Sequence, residues 1–337
     1  MEKKPLMTVS NLSMFFPVRK GFFNRVQRYV RAVDDISFTI NRSETIGLVG
    51  ESGCGKSTVG NCLIRLLKPT AGAVMFQQDP NEDAVNMVEA NSRQLRKARM
   101  DLQMVFQDPY SSLNPRMTAR NIIAEPLVVY KREKGSSLDD RVASLMRKVG
   151  ISPDYMSRYP HAFSGGQRQR IGIARALALN PQLMICDEAV SSLDVSVQAQ
   201  ILELLEELKP EFGMSYLFIA HDLSTVKHIS DRVIVMYVGK IVETGVTEEL
   251  YGNPKHPYTE ALLESVPRLS ANKSVRRTTL MGEVPDPSNP PSGCFFHPRC
   301  RYAVDECKNR NQALSPVGGQ NHVSACLRAE ELTLRGV

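Results

Sequence analysis

Gly50-Glu51-Ser52-Gly53-Cys54-Gly55-Lys56-Ser57-Thr58 has the spacing G-x-x-x-x-G-K-[ST]. Glycines so placed let successive backbone N–H groups curl around a β-phosphate. The lysine then reaches the β- and γ-phosphates, and the hydroxyl after it ligates Mg²⁺. The implied chemistry is nucleoside triphosphate binding, with Lys56 on the phosphates and Ser57 on the metal. Further along, the apolar run Leu183–Cys186 ends in Asp187-Glu188. A buried strand ending in two carboxylates fits an aspartate that orients the Mg²⁺ shell, followed by a general base for the attacking water. Ser164-Gly165-Gly166-Gln167 opens a helix expected over Gln167–Ala178. It is a second anion-binding helix N-terminus, or an ordinary helix start capped by Ser164. A single chain does not need two phosphate cradles for one nucleotide. The second is therefore expected to serve a nucleotide held by another subunit.

A different chemistry gathers near the end of the chain. Cys294, Cys300, Cys307 and Cys326 are spaced C-x5-C-x6-C-x18-C. Soft thiolates in a reduced compartment suggest a metal, as zinc or as an iron–sulfur cluster, and the spacing leaves both open. His297 and His322 lie close enough in sequence to compete as ligands.

The elements that must position these groups follow from pattern. Thr8–Phe15 and Val30–Ile40 alternate apolar and polar residues, as strands with one wet face do, with Pro17–Arg28 expected as a loop between them. Thr45–Val49 is an apolar strand that runs into the glycine loop. Val59, Cys62, Leu63, Leu66 and Leu67 form the buried stripe of the helix after it, closed by Lys68-Pro69. Strand, glycine loop and helix make the opening unit of an α/β nucleotide-binding fold. Asp79–Ala90 is acidic and polar, a loop. Residues from about Tyr110 to Asn180 are expected to form a helical insertion, broken at Pro126, at Gly150–Pro153 and at Tyr159-Pro160. Leu183–Cys186 and Tyr216–Ala220 are strands buried on both faces, with a helix over Val195–Leu208 between them, and Arg232–Glu243 is a hairpin turning at Gly239-Lys240. Composition shifts after Asn253 toward proline and cysteine, which places a boundary near residue 265.

Composition limits the alternatives. The chain has 337 residues, 42% hydrophobic and 23% charged, enough for a globular core with an appended region. Its net charge of +6 comes from 42 basic and 36 acidic residues without a basic run. That fits a solvated surface better than a nucleic-acid interface. No apolar stretch approaches the ~18–20 residues of a membrane span, and Met1–Ser10 lacks the apolar core of a signal peptide. The expected location is the cytosol, where the seven cysteines stay reduced.

With these motifs in this order, the chain resembles the ATPase subunits of ATP-binding cassette (ABC) transporters. The resemblance implies a P-loop NTPase fold: a RecA-like α/β core, an antiparallel β subdomain and an α-helical subdomain at about 110–180. This cassette would occupy 1–264, with a cysteine-rich C-terminal region over 265–337. By resemblance, Gln107 in Val105-Phe106-Gln107-Asp108-Pro109 touches Mg²⁺ or the attacking water. Ser164–Gln167 is the signature motif, preceded by Phe163 where the family usually has Leu. Ser191-Ser192-Leu193-Asp194 crosses the dimer interface, His221 contacts the γ-phosphate, and Tyr29 is the candidate to stack on adenine. The family usually has Pro after the catalytic Glu, where this chain has Ala189; the substitution is expected to loosen the turn that carries Glu188.

Within the family, the chain is similar to the second ATPase of dipeptide, oligopeptide and nickel importers. The stretches that carry this likeness are the phosphate loop itself, Phe106–Pro115, Tyr159-Pro160-His161 and Asn253–Thr259. The implied partners are a second ABC ATPase, usually different but conceivably a copy of this chain, two permeases and, indirectly, an extracytoplasmic binding protein. The implied place is the cytoplasmic face of the inner membrane, peripherally. Peptides lead as cargo, with nickel, opines and glutathione open. The resemblance also turns the choice at Cys294, Cys300, Cys307 and Cys326 toward a structural [4Fe-4S] cluster over zinc. Soluble ABC ATPases of DNA repair or translation are the rival class, but they carry paired cassettes or a long coiled coil that this chain lacks. A metal-binding regulator would leave the cassette motifs without a role.

Overall fold

The computed structural model describes residues 5–21, 24–108, 110, 112–265, 282–311, 313–318 and 321–337. Pro109 and Ser111 of the Phe106–Pro115 stretch, and the chain just past the expected boundary at 265, lie outside these residues.

The N-terminal strands β1 (Met7–Lys20) and β2 (Arg25–Ile40) pair antiparallel. The core strand β3 (Thr45–Val49) leads into helix α1 (Lys56–Leu63). Strands β4 (Ala71–Phe76) and β5 (Val85–Asn86) complete a four-stranded sheet in the order β2-β1-β4-β5. Helix α2 (Ser92–Asp101) and strand β6 (Leu102–Val105) return the chain to the core. Three helices follow: α3 (Ala119–Val129), α4 (Gly135–Lys148) and α5 (Gly165–Leu177). Strand β7 (Leu183–Asp187), helix α6 (Val195–Phe212), strand β8 (Ser215–Ala220) and helix α7 (Leu223–Ile229) lead to a hairpin of β9 (Arg232–Tyr237) and β10 (Lys240–Val246). Helices α8 (Thr247–Gly252), α9 (Pro257–Ser265) and α10 (Glu306–Asn309) and the short strands β11 (Ser315–Pro316) and β12 (Val323–Ser324) complete the chain.

The larger sheet has the order β11-β12-β10-β9-β3-β8-β7-β6. Its centre, from β9 through β6, is parallel. Continuous apolar runs build it because both faces are covered. In β7, Met184 and Cys186 enter one core while Leu183 and Ile185 enter the other, and β8 divides Tyr216 and Phe218 from Leu217 and Ile219 in the same way. One core is shared with α1 and the four-stranded sheet; the other is closed by the helical insertion and by α6 to α9.

Three sequence expectations change. Within Pro17–Arg28, expected as a loop, Pro17–Lys20 and Arg25–Arg28 are strand: Pro17 pairs with Tyr29 and Lys20 with Arg25. This ribbon projects beyond the core, so it has no buried face to produce alternation. Pro17 is tolerated because β4 pairs with β1 only as far as Ser13, which leaves Pro17 on an edge. Helix α1 stops at Leu63, and Leu66 is exposed. The N–H groups of Leu66 and Leu67 both turn back to the Asn61 carbonyl. Pro126 does not break α3 but lies inside it. Burial of Ile122, Ile123 and Leu127 outweighs the cost of about 3 kcal/mol for an interior proline. The tail packs on the rest of the chain. Strand β12 adds to the edge of β10, the Arg31 N–H donates to the Pro287 carbonyl, and the Val337 N–H donates to Tyr251.

Candidate functional site

Parallel register sets the site. Val49 of β3 pairs with Ala220 of β8, Ile219 with Asp187 of β7, and Cys186 with Val105 of β6. The residues that leave these strands, Gly50, His221, Glu188 and Gln107, therefore emerge together at the carboxyl edge of the sheet, where open α/β folds bind ligands. A cavity of about 400 Å³ lies there, lined by Ala32, the phosphate-loop residues Ser52, Gly53 and Gly55–Thr58, and Gln107, Glu188 and His221.

The loop from Gly50 to Gly55 is folded around the ammonium of Lys56. Nζ donates to the carbonyls of Gly50 at 2.8 Å and Glu51 at 3.0 Å, and the side chain is buried. Gly55 has φ +110°, and a Cβ there would lie 2.0 Å from the Ala32 carbonyl oxygen, so strand β2 packs directly on the loop. Burial pushes the Cys54 thiol up, which keeps it neutral. The Ser57 hydroxyl donates to Asp187 Oδ1 at 2.8 Å. Burial raises the Asp187 carboxyl against the opposing pull of Ser57 and Lys56. Two adjacent hard oxygens beside a phosphate loop form a donor set that suits Mg²⁺.

Across the cavity, Gln107 Nε2 donates to Glu188 Oε2 at 2.7 Å, and His221 Nδ1 lies 3.4 Å from the same oxygen. Glu188 holds a left-handed φ of +46°. It is fixed on both sides. Its N–H donates to the Ile219 carbonyl at 2.9 Å, and its carbonyl accepts from the N–H and hydroxyl of Ser191 at 3.1 and 3.0 Å. Ala189, expected to loosen this turn, is buried within it. Strain at a residue so held is a feature of functional sites.

The other candidates lie apart from this cavity. Ser164 caps α5 and forms a capping box with Gln167, so the structure supplies the cap that the sequence offered as one of two readings. A Cβ on Gly166 would lie 2.5 Å from Val197 Cγ1, so this glycine also allows α5 to approach α6. Asp194 caps α6, and its carboxyl is held below the usual range, first by the Ser196 hydroxyl. Ser164–Gln167 and Asp194 line no part of the phosphate cavity. Tyr29 is half exposed on β2, three residues before Ala32.

The expectation of a [4Fe-4S] cluster is overturned. Among the described residues, no group of three or more His, Cys, Asp or Glu side chains could hold a metal ion. Cys294, Cys300, Cys307 and Cys326 do line one cavity, but it measures about 20 Å³, roughly the room of one water. Burial pushes the Cys300 thiol up to about 11 and Cys326 to about 12. Zinc loses its support for the same reasons. His322 turns instead to Glu243, with Nε2 2.7 Å from Oε1.

Two residues had no sequence signal. The Tyr258 hydroxyl accepts from the Glu51 N–H at 2.8 Å, and Arg299 contacts the Glu51 carboxylate. Ala32 was likewise invisible, because only its backbone reaches the loop.

Comparison with known proteins supports the geometry. The sequence pattern of the ABC transporter family matches residues 33–191, and that of the oligopeptide/dipeptide transporter C-terminal region matches 242–307. The chain is 51% identical to the oligopeptide transport ATP-binding protein AppF of Bacillus subtilis, covering 91% of this chain and 93% of that protein. It is 47% identical to the oligopeptide transport ATP-binding protein OppF of Salmonella typhimurium, covering 98% of both. With the dipeptide transport ATP-binding protein DppF of Haemophilus influenzae it shares 46%, covering 93% of this chain and 94% of that one. Among solved structures, a dimeric ATP-binding cassette in a post-hydrolysis state, bound to ADP and phosphate, superimposes with a TM-score of 0.62 at 26% identity, covering 72% of this chain and 98% of that one. Half or near-half identity across almost the whole length, on a P-loop α/β core, leaves one assignment: the chain belongs to the ABC transporter family, among its oligopeptide/dipeptide ATP-binding proteins, and is an ATPase coupled to transport that works with ATP and Mg²⁺.

Proposed function

We propose that this chain drives peptide import across the cytoplasmic membrane, from its cytoplasmic face, with two permeases, a second and different ABC ATPase, and an extracytoplasmic binding protein that delivers the peptide. The relatives named for oligopeptide and dipeptide transport support this cargo. No helix among the described residues is long and apolar enough to cross a membrane, which fits a peripheral subunit. The cassette would span 1–264 and the C-terminal region 265–337.

Roles follow from position. The backbone of Gly50–Gly55 with Lys56 and Thr58 holds the phosphates. Ser57 and Asp187, with Gln107, would hold Mg²⁺, which when bound neutralises charge on the transferring phosphoryl group. Glu188 accepts a proton from the attacking water. Gln107 and His221 fix its carboxylate, and His221 also faces the γ-phosphate. Tyr29 stacks on the adenine. Ser164–Gln167 and Asp194 face the nucleotide of the second ATPase, so each of two shared sites needs both subunits. The dimeric state of the superimposed cassette is consistent with this.

The single observation that carries the proposal is the meeting of Gln107, Glu188 and His221 with Lys56 and Ser57 around one cavity, where Ser57 in turn holds Asp187. The test is ATP turnover by the complex in vesicles, with and without peptide. Peptide is expected to stimulate turnover. Glu188→Gln should retain ATP binding and lose roughly 10²–10⁴-fold in turnover. Normal turnover in Glu188→Gln would reject the assigned base, and indifference to peptide would reject the cargo.

A further inference from the structure

A carboxylate is an awkward residue for a polyphosphate-binding loop, because like charges repel in a partly dry site. Glu51 is the second residue of this loop. Its charge is met from the far end of the chain. Arg299 Nη1 donates to Oε2 at 2.7 Å and Nη2 to Oε1 at 3.0 Å, a two-pronged pair. The Arg299 side chain is only 5% exposed and that of Glu51 24%. Such a bidentate pair is strong and directional, and lysine does not reproduce it.

The backbone of Glu51 is tied as well. Its N–H donates to the Tyr258 hydroxyl, and its carbonyl accepts from Lys56 Nζ. One residue thus connects Arg299 and Tyr258 to the ammonium that reaches the phosphates. The wall behind it is aromatic. Phe296, three residues before Arg299, packs on Tyr237 and Tyr258 with ring centroids 5.3 and 5.4 Å apart, and those two tyrosines lie 4.6 Å from each other. Arg299 Nη1 also donates to the Tyr237 hydroxyl at 3.3 Å.

We infer that Arg299 is a positioning residue for nucleotide binding: it neutralises Glu51 and anchors the phosphate loop, so the C-terminal region forms part of the ATP site. This rests on the ATP-binding role proposed above for the loop. Without Arg299, the Glu51 carboxylate loses its two-pronged partner beside the loop and the carbonyl that holds Lys56 loses its anchor.

The test is a double-mutant cycle in the full chain, reading the dissociation constant of a fluorescent ATP analogue and the ligand-free melting temperature. Arg299→Gln is expected to weaken ATP by about tenfold or more. Glu51→Gln serves as the reference: the double variant, which removes the charge as well as its partner, should lie within about threefold of Glu51→Gln and recover most of the Arg299→Gln loss. A purely structural arginine would show no such rescue. Wild-type ATP affinity in Arg299→Gln, or a double variant as weak as Arg299→Gln, would overturn the inference. Should Arg299→Gln fail to fold, Arg299→Lys is expected to weaken ATP several-fold, and a wild-type affinity there would overturn it equally. If the unmutated chain bound no ATP, the loss would fall on the proposed function instead, because no variant would then differ.

Discussion

Two glycines of the phosphate loop separate backbone strain from steric contact. Gly53 has φ +78° and Gly55 has φ +110°, conformations that other residues rarely adopt. Alanine at either position carries a strain of about 1–2 kcal/mol. Their surroundings differ. Around a Cβ at Gly53 nothing lies within 4 Å, whereas at Gly55 the new carbon falls 2.0 Å from the Ala32 oxygen and 3.2 Å from its carbonyl carbon. That neighbour is backbone of β2, which pairs with β1 through Arg31 and Val33 on either side of Ala32, and it cannot rotate away as a side chain could. Forcing the two apart adds about 1–3 kcal/mol. Gly53→Ala should therefore cost about 1–2 kcal/mol and Gly55→Ala about 2–5 kcal/mol. Urea unfolding of the ligand-free chain, followed by circular dichroism, measures the difference. Nucleotide titration on the same samples should show a further loss in Gly55→Ala as the loop shifts from its place over Lys56. Equal destabilisation by the two substitutions would refute the claim that β2 braces the loop.

Three other outcomes are expected. Gly166→Ala should destabilise the chain by about 1–3 kcal/mol, because its Cβ would meet Val197 Cγ1 at 2.5 Å; Val197→Ala in the same chain should recover much of the loss in a denaturation curve. Phe296→Ala should cost about 3–5 kcal/mol, since this buried ring joins Tyr237 and Tyr258 behind the phosphate loop. His322→Gln should show a pH-dependent loss of melting temperature. Burial works against the charged ring, but the Glu243 and Glu249 carboxylates outweigh it and hold His322 above the usual imidazole range. The folded value is the higher one, so the contribution is full below about pH 6.5, the ordinary unfolded value, and fades as pH rises through the folded value. The gap between wild type and variant should therefore shrink with rising pH; a widening gap would contradict the sign.

Much of the site was legible in the sequence because its parts are local. A glycine loop and a strand ending in two carboxylates each place their chemistry within a few residues. The buried strands were equally legible, since two covered faces demand continuous apolar runs. Where no face is buried, pattern is silent, so the projecting ribbon from Pro17 to Arg28 was taken for a loop. Stripe alone did not foresee the early end of α1, which depends on carbonyl contacts at Asn61.

The cysteines mark the boundary most clearly. Spacing brings four thiols to one region, but packing sets the room between them, which is about 20 Å³. By itself the sequence determined a phosphate-binding ATPase core and the order of its motifs. Only the tertiary structure decided that parallel register joins Gln107 to Glu188, 81 residues apart, and that Arg299 closes on Glu51 across 248 residues. Pairs so distant leave no spacing to read, because the sheet and the packed tail set their separation, not the chain between them.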